Sequence, residues 1–356
     1  MKKIMILAAI AAAAISCSKS FELTPTQEAP IGFGTWAETM TKATVDNTFD
    51  QGATFKVWGF KTVSTTNTNV FNGVTVTKQT ADNNSWSYEG KKYWDLSATS
   101  YTFYAVSPAA DGYSLNTENG AITASPSIVF HGNDSDILVA DKAVVQKTDG
   151  AGNFNSFGRV PLSFNHVAAL LDVNVKASAG LIADQATVKV ASIQIQNIDS
   201  KGTFIVDEDY TTAPAAHWTT AQVAEAYVVD TFDQSEGTGA SYALNTALGN
   251  TSRTFINKLI VMPQDFRTSG TQKQQVLISY KIQYAGGDET VFSPAAYDLT
   301  MFDNLDNEVN TDTNVTGWAP GVHYIYTITI DANAINFTAS IEGWGDPVNA
   351  YNYLTN

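Results

Sequence analysis

Short runs in which apolar and polar residues alternate recur along this chain and limit the folds that it can adopt. The clearest run spans residues 275–284, where every second side chain is apolar: Val276, Ile278, Tyr280, Ile282 and Tyr284. Successive side chains of a β-strand point to opposite faces, so this period of two predicts a strand with one buried face. Similar runs return every 8–15 residues, roughly, between Gly, Asn, Asp and Pro, which predicts an all-β fold of packed sandwiches.

Three local predictions accompany this pattern. The apolar positions change parity within residues 188–195, and a β-bulge near Ala191 and Ser192 would restore them to one face. Residues 331–334 separate two alternating runs and predict a hairpin. The stretch 219–228 is the only one that predicts a helix, because a threonine can cap the sequence Ala-Gln-Val-Ala-Glu-Ala that follows it.

The start of the chain has the features of an export signal. Two lysines precede an apolar run over Ile4–Ile15, which is too short for the ~20 residues that span a bilayer as a helix. Residues 1–16 therefore predict a signal peptide. Small residues precede Cys17, the only cysteine, as in a lipobox, so we expect its thiol and new amino group to carry acyl chains such as palmitate. Ordinary signal-peptidase cleavage, with Cys17 incidental, is the alternative.

Acylation at Cys17 would anchor the chain to a membrane, because several acyl chains together exceed the marginal hold of a single one. Residues 17–30 are polar, contain Pro25 and Pro30, and predict a flexible tether. Loss of both signal-peptide lysines leaves 18 basic side chains against 35 acidic ones, a formal charge of −17. Such a charge repels phosphate backbones and argues against nucleic acid as a partner.

The remaining 340 residues can bury a large apolar core without disulfides. We expect two domains, an N-terminal one over residues 43–161 and a C-terminal one over residues 162–356 that includes a tail. Residues 31–42 precede them as a separate N-terminal strand segment.

A search for catalytic and metal-binding patterns returns nothing specific, so the sequence predicts no enzyme, metal or cofactor. The four histidines lie far apart, without the spacing of zinc ligands, and hydrogen-bonded structural roles are expected for those that flank strands, His166 and His323. No nucleophile elbow, P-loop or dinucleotide fingerprint is present. The acidic loop 303–312 lacks the Gly and Glu of an EF-hand loop and is expected to be solvated.

Two kinds of alternative stay open at this point. Carboxylate pairs that would suit a glycosidase occur at Asp134 with Asp136 and at Asp303 with Asp306. Sequence alone does not give the carboxylate separation on which that chemistry depends. Trp86 and Trp94 are aromatic enough to stack on sugars, although their positions also suit packing within strands.

Several segments, in this order after the lipobox, together resemble the fimbrillin family, the lipoprotein subunits of type V pili. They cover nearly the whole chain: residues 31–33, 40–44, 49–59, 101–108, 136–140, 162–168, 259–264, 318–324 and 341–344. The resemblance implies two tandem transthyretin-like, Greek-key β-sandwich domains. It also implies export as an outer-membrane lipoprotein and assembly with other fimbrial subunits into a fimbrium at the cell surface, with contact to the outer membrane through the acyl anchor before processing.

The resemblance further implies a mechanism of assembly. In this family a protease cleaves after a basic residue and releases the first strand, and the opened sheet edge accepts a strand from the next subunit. An unpaired edge presents backbone donors and acceptors and is a template for strand addition. Here the cleavage position corresponds to Lys42 and Ala43, and the plug strand contains Ile31 and Phe33.

Two features depart from the family pattern. Many members have arginine at the cleavage position, whereas the first arginine here is Arg159, and an uncleaved Lys42 would leave an anchored protein. The tail after Trp344 is short for a donor strand and alternates poorly.

From the resemblance as a whole we expect a structural subunit, in the shaft or at the tip of a fimbria, that supports cell adhesion. The alternative is a non-polymerising surface lipoprotein that binds carbohydrate.

Overall fold

The computed structural model describes residues 30–35, 49–80, 86–115, 121–124, 128–129, 136–146, 159–205, 218–220, 224–228, 243–301, 303–304, 315–332 and 335–343. Strands make up nearly all the regular structure of these residues, so the all-β prediction is confirmed. No helix within these ranges is long and apolar enough to cross a membrane.

The first half of the described chain contains twelve strands. They are β1 (Phe33–Thr35), β2 (Thr54–Val63), β3 (Thr66–Lys78), β4 (Trp86–Tyr88), β5 (Ser100–Ser107), β6 (Tyr113–Leu115), β7 (Ala121–Ala124), β8 (Ile128–Val129), β9 (Leu138–Ala140), β10 (Ala143–Gln146), β11 (Val160–Leu162) and β12 (Phe164–His166).

The second half contains one short helix, α1 (Ala179–Ala183), a 3-10 turn (Leu299–Met301) and fourteen strands. The strands are β13 (Ala169–Ala177), β14 (Thr187–Asp199), β15 (Lys201–Ile205), β16 (Trp218–Thr220), β17 (Ala224–Val228), β18 (Ala247–Leu248), β19 (Arg253–Val261), β20 (Gln264–Asp265), β21 (Gln275–Gln283), β22 (Thr290–Asp298), β23 (Asp303–Asn304), β24 (Gly317–Trp318), β25 (Val322–Ile330) and β26 (Ile335–Gly343).

The first-half core lies between one large sheet and one parallel strand pair. The sheet has the order β12-β9-β5-β2-β3-β4, with β10 also pairing with β5, and the pair consists of β1 and β11. Both contribute to a single cluster of buried side chains, which includes Phe33 from β1, Val160 from β11 and Phe55 from β2.

The second-half core is a β-sandwich. One sheet has the order β19-β13-β25-β26-β23, and the other has the order β17-β14-β21-β22 with β18 also on β14. Alternate side chains of both sheets meet in one buried cluster, as the period of two requires. Examples are Val173 and Ile328 from the first sheet and Val190 and Ile278 from the second.

Two features join the halves. A further sheet, β16-β15-β7-β6 with β8 on β15, pairs strands from both halves. A third buried cluster brings Trp58 and Val139 of the first half against Leu170 and Met262 of the second. The division of the chain into domains at residues 161 and 162 stays a prediction; the side chains of Leu162 and Phe164, just beyond it, pack in the first-half cluster.

Two of the local predictions are confirmed and one is wrong. The register of β14 against β21 shifts between Val190 and Ser192, where the bulge is expected. The strands β25 and β26 pair antiparallel around residues 331–334, which is the expected hairpin. The stretch 219–228 contains the end of β16 and all of β17 instead of a helix, because β17 pairs with the far end of β14. Weak helix propensity gives way to such tertiary pairing.

The only α-helix of the described ranges lies elsewhere, at α1, a position that the sequence analysis missed. Its N-cap is Ser178, whose hydroxyl accepts a hydrogen bond from the backbone N–H of Leu181 at 3.2 Å. Leu181 is buried in the second-half core. The helix is too short for a periodic apolar stripe, so its signal in the sequence is limited to this cap.

Candidate functional site

The N-terminal segment, residues 30–35, crosses the first-half core and is held there through its backbone. The N–H of Ile31 donates to the carbonyl of Lys92 at 2.8 Å, and Pro30 forms an isolated bridge with Tyr93. Farther along, the N–H of Val160 donates to the carbonyl of Gly32 at 2.7 Å, and β1 then runs parallel to β11. The segment therefore pairs first with the loop after β4 and then with β11.

The side chain of Tyr88 adds a further hold on this segment. Its hydroxyl donates to the carbonyl of Ile31 at 2.7 Å and accepts from the N–H of Lys92 at 3.2 Å. Burial is the largest cause of the raised pKa of Tyr88, while its hydrogen bond with the Lys92 backbone acts in the opposite direction. The phenol therefore stays protonated, and a hydrogen-bond donor, at neutral pH.

The side chains of Ile31 and Phe33 point into the core, and each is only 1% exposed. Four rings surround that of Phe33 and form what we call the aromatic pocket: Phe55, Phe71, Tyr88 and Phe103. Their centroids lie 5.7, 5.4, 5.8 and 6.0 Å from that of Phe33, all in edge-to-face geometry. This geometry is the one that aromatic quadrupoles favour.

Gly59 of β2 allows two walls of the pocket to approach each other. A Cβ at this position would lie 2.8 Å from Phe103 and 2.9 Å from Phe71, distances at which ring atoms must move. The two rings stand 6.1 Å apart over the glycine. The absence of a side chain at residue 59 is therefore part of the shape of the pocket.

Trp94 and Trp86, the predicted sugar-stacking residues, belong to the same aromatic core. Trp94 is 0% exposed and packs edge-on against Tyr101 at 4.7 Å, so its ring offers no face to a carbohydrate. Trp86 is half-buried against Phe49 and Phe55, at 5.3 and 4.8 Å. The structure thus favours the packing interpretation for both.

The other predicted residues fall in two groups. Cys17, Lys42 and Ala43 lie outside the described residues, as do Asp134 and Asp306, so lipidation and processing stay predictions. Asp136 pairs with His166, which suits a structural imidazole. Nε2 of His323 lies 3.1 Å from the Asp172 carboxylate but without hydrogen-bond geometry, so a hydrogen-bonded role for His323 stays a prediction. Within the part of the chain that the structure describes, no group of three or more metal-ligating side chains occurs.

Sequence reasoning missed the residues that form the walls of the pocket. Phe55, Gly59 and Phe103 occur in the segments that carry the family resemblance, but nothing in the sequence assigns them to one pocket. Tyr88 is separated from its acceptor Ile31 by 57 residues, and no local pattern indicates that contact.

Comparisons with known proteins identify a family model and several solved structures that this chain is similar to. A family model described as fimbrillin-like matches residues 41–344. A fimbrial protein from Bacteroides vulgatus has a TM-score of 0.53 at 15% identity, and the match covers 89% of this chain and 99% of that one. A candidate cell adhesion protein from Bacteroides uniformis has a TM-score of 0.50 at 18% identity over 91% and 100% of the two chains. No curated protein matches significantly.

Proposed function

This chain belongs to the fimbrillin-like family, and from that premise we propose that it is a structural subunit, in the shaft or at the tip of a surface fimbria, that supports cell adhesion. The family model covers most of the chain, including the second-half core and the first-half core apart from Ile31 and Phe33. The proposal includes export as an outer-membrane lipoprotein acylated at Cys17, followed by polymerisation through strand exchange.

The observation that carries this proposal is the way the N-terminal segment completes the first-half core. It contributes two fully buried side chains, yet within the described residues its backbone joins the rest only at Lys92, Tyr93, β11 and the hydroxyl of Tyr88. Removing it would expose an apolar groove lined with unpaired backbone groups. Such a groove is unfavourable in water and binds an incoming extended segment well.

Cleavage between Lys42 and Ala43 would separate this segment from the remainder of the chain. The site falls between Thr35, which ends β1, and Phe49, where the described chain resumes. The same cut would release the subunit from its acyl anchor at Cys17. One proteolytic event would therefore free the subunit and make its groove available to a neighbour.

Limited proteolysis tests the proposal. The purified mature chain is digested with a lysine-specific protease and applied to SDS gels without heating. We expect a new amino terminus at Ala43 and an SDS-resistant ladder, because an inserted strand dissociates slowly. The Lys42→Gln chain should give no ladder, and the matched Lys19→Gln chain should polymerise like the parent. Protein that begins at Ala43 and stays monomeric at high concentration would contradict strand exchange.

Cell fractionation tests the export step separately. The parent chain should incorporate labelled palmitate and sediment with outer membranes. A Cys17→Ser chain should lose the label and appear in the soluble fraction, since its acyl acceptor is gone. Equal labelling of both chains would contradict acylation at Cys17 and leave the polymerisation experiment unaffected.

A further inference from the structure

We propose that the groove selects its strand through an aromatic side chain placed in the aromatic pocket, together with a backbone carbonyl two residues earlier that accepts from Tyr88. The ligand class is an extended segment of another subunit, with an apolar residue and an aromatic residue two positions apart, running parallel to β11. This inference rests on the proposed function and adds to it the specificity of the groove.

The first argument is the geometry of the four rings around Phe33. All four present edge-to-face contacts at 5.4 to 6.0 Å, a set that only another six-membered ring satisfies at once. Such contacts contribute beyond the burial of area alone. A leucine in the same place would fill part of the volume but would lose these contacts, and an alanine would leave a cavity.

The second argument is that the pocket cannot close around a smaller side chain. Phe55, Phe71 and Phe103 lie on β2, β3 and β5, which are adjacent strands of the first-half sheet, and all three rings are fully buried. The rings of Phe71 and Phe103 pack directly on the Gly59 backbone without spare volume, because a Cβ at residue 59 would approach the Phe103 ring to 2.8 Å. Densely packed walls relax little, so the cavity that a smaller side chain would leave in the pocket stays open.

The third argument is the register. Tyr88 makes two contacts with the segment through its one side chain. Its hydroxyl donates to the carbonyl of Ile31, and its ring packs against the ring of Phe33, two residues later. The N–H of Ile31 donates to the carbonyl of Lys92 and so holds the backbone just before the Ile31 carbonyl. The carbonyl of Gly32, which lies between the two contacts, accepts from the N–H of Val160. A shift of one residue would place the opposite face of the strand against the pocket, so register and aromatic position are selected together.

A competition experiment tests this specificity on the full mature chain. A recognition site for a specific protease is inserted after Lys42, and the chain is nicked there. The nicked protein is equilibrated in mild denaturant, until its composition stops changing, with excess peptide spanning residues 28–36. Mass spectrometry of the folded protein then reads which peptide is retained in pairwise competition.

The peptides differ only at the position under test. We expect Phe33→Tyr to compete within a few-fold of the native peptide, Phe33→Leu to be weaker by roughly 10-fold and Phe33→Ala by ~100-fold or more. Glu28→Gln, which leaves residues 30–35 unchanged, is the matched control and should compete like the native peptide. A Tyr88→Phe protein should retain every peptide about 5-fold less well while keeping the same order among them.

The outcomes separate the two proposals. Retention of the native and Phe33→Leu peptides to the same extent would overturn the aromatic specificity and leave strand exchange intact. Retention of none of the peptides, with the native segment lost, would contradict the groove itself and with it the proposed mechanism of assembly. The expected order of affinities supports both.

Discussion

The indole N–H of Trp318 donates to the hydroxyl of Tyr326 at 2.8 Å, and both side chains are buried in the second-half core. Trp318 also packs edge-on against Phe266 at 5.0 Å, so the hydrogen bond orients a large ring at the centre of the sandwich. Burial is the main cause that raises the pKa of Tyr326 far above its ordinary value, so the phenol remains neutral.

Replacing Tyr326 with Phe should therefore destabilise the fold. The change leaves the buried N–H of Trp318 without its acceptor, and we expect the free energy of unfolding to fall by about 1–3 kcal/mol. Denaturant unfolding followed by tryptophan fluorescence measures this. Tyr284→Phe is the control, because Tyr284 is 45% exposed and should tolerate the change. Equal stability of both variants would show that the hydrogen bond contributes nothing net.

Gly59→Ala tests the shape of the aromatic pocket. The new methyl group would meet the rings of Phe71 and Phe103, and such overpacking costs roughly 1–3 kcal/mol of unfolding free energy. Gly249→Ala is the matched control, since a Cβ there has only one neighbour, at 3.9 Å. Thermal unfolding should show a lower Tm for the first variant alone. A Tm equal to that of the control would contradict a tightly packed pocket.

The pairing of Asp95 with Lys61 should make the free energy of unfolding depend on pH in the acid range. Its carboxylate accepts from Lys61 at 2.6 Å and from Ser97, and these bonds, with Lys61 first, lower the pKa of Asp95 from 3.8 to about 2. A lowered pKa in the folded state stabilises the fold above pH 3.8, and this contribution is lost as the pH falls towards 2. Because the pair is partly exposed, about 1 kcal/mol is expected.

The measurement is the unfolding free energy of the parent and of Asp95→Asn between pH 6 and pH 2. Their difference should be constant above about pH 5 and should shrink below pH 4 as the parent loses its paired carboxylate. Asp111→Asn is the control, because Asp111 is fully exposed and 3.6 Å from Lys56. A difference in unfolding free energy between the parent and Asp95→Asn that does not change with pH would contradict the assignment of this pH dependence to Asp95.

Arg267 anchors the end of β14. Its guanidinium pairs with the buried carboxylate of Asp199 and donates to the carbonyls of Asn197 at 3.0 Å and Gln272 at 2.9 Å. Arg267→Ala would leave Asp199 buried without its cation, and we expect a loss of roughly 3 kcal/mol. Arg267→Lys should recover only part of this, because an ammonium cannot reproduce the planar fork.

A second substitution distinguishes charge from packing at this site. Adding Asp199→Asn to Arg267→Ala removes the uncompensated charge and should restore part of the lost stability, as measured by denaturant unfolding. A double variant that is less stable than Arg267→Ala alone would mean that the carboxylate is held by its other contacts. Lys91→Ala, at an exposed position outside any strand, provides the baseline for loss of a surface cation.

Much of the fold follows from local sequence. The period of two predicted the strands that became β21, β25 and β26, because alternate side chains of a strand occupy opposite faces whatever its partners are. The parity change in β14 predicted the bulge between Val190 and Ser192 for the same reason. The resemblance of scattered segments predicted the family, which the match over residues 41–344 establishes.

The candidate site depended on tertiary structure. Phe33 pairs in parallel with Val160 far along the chain, and its ring meets side chains from four other strands. The stretch that forms β17 shows the same dependence, since its propensity suggests a helix and its pairing with β14 makes it a strand. Alternation in the sequence determines which face of a segment is buried; which segments it is buried against is set by contacts between distant residues, for which a local pattern carries no information.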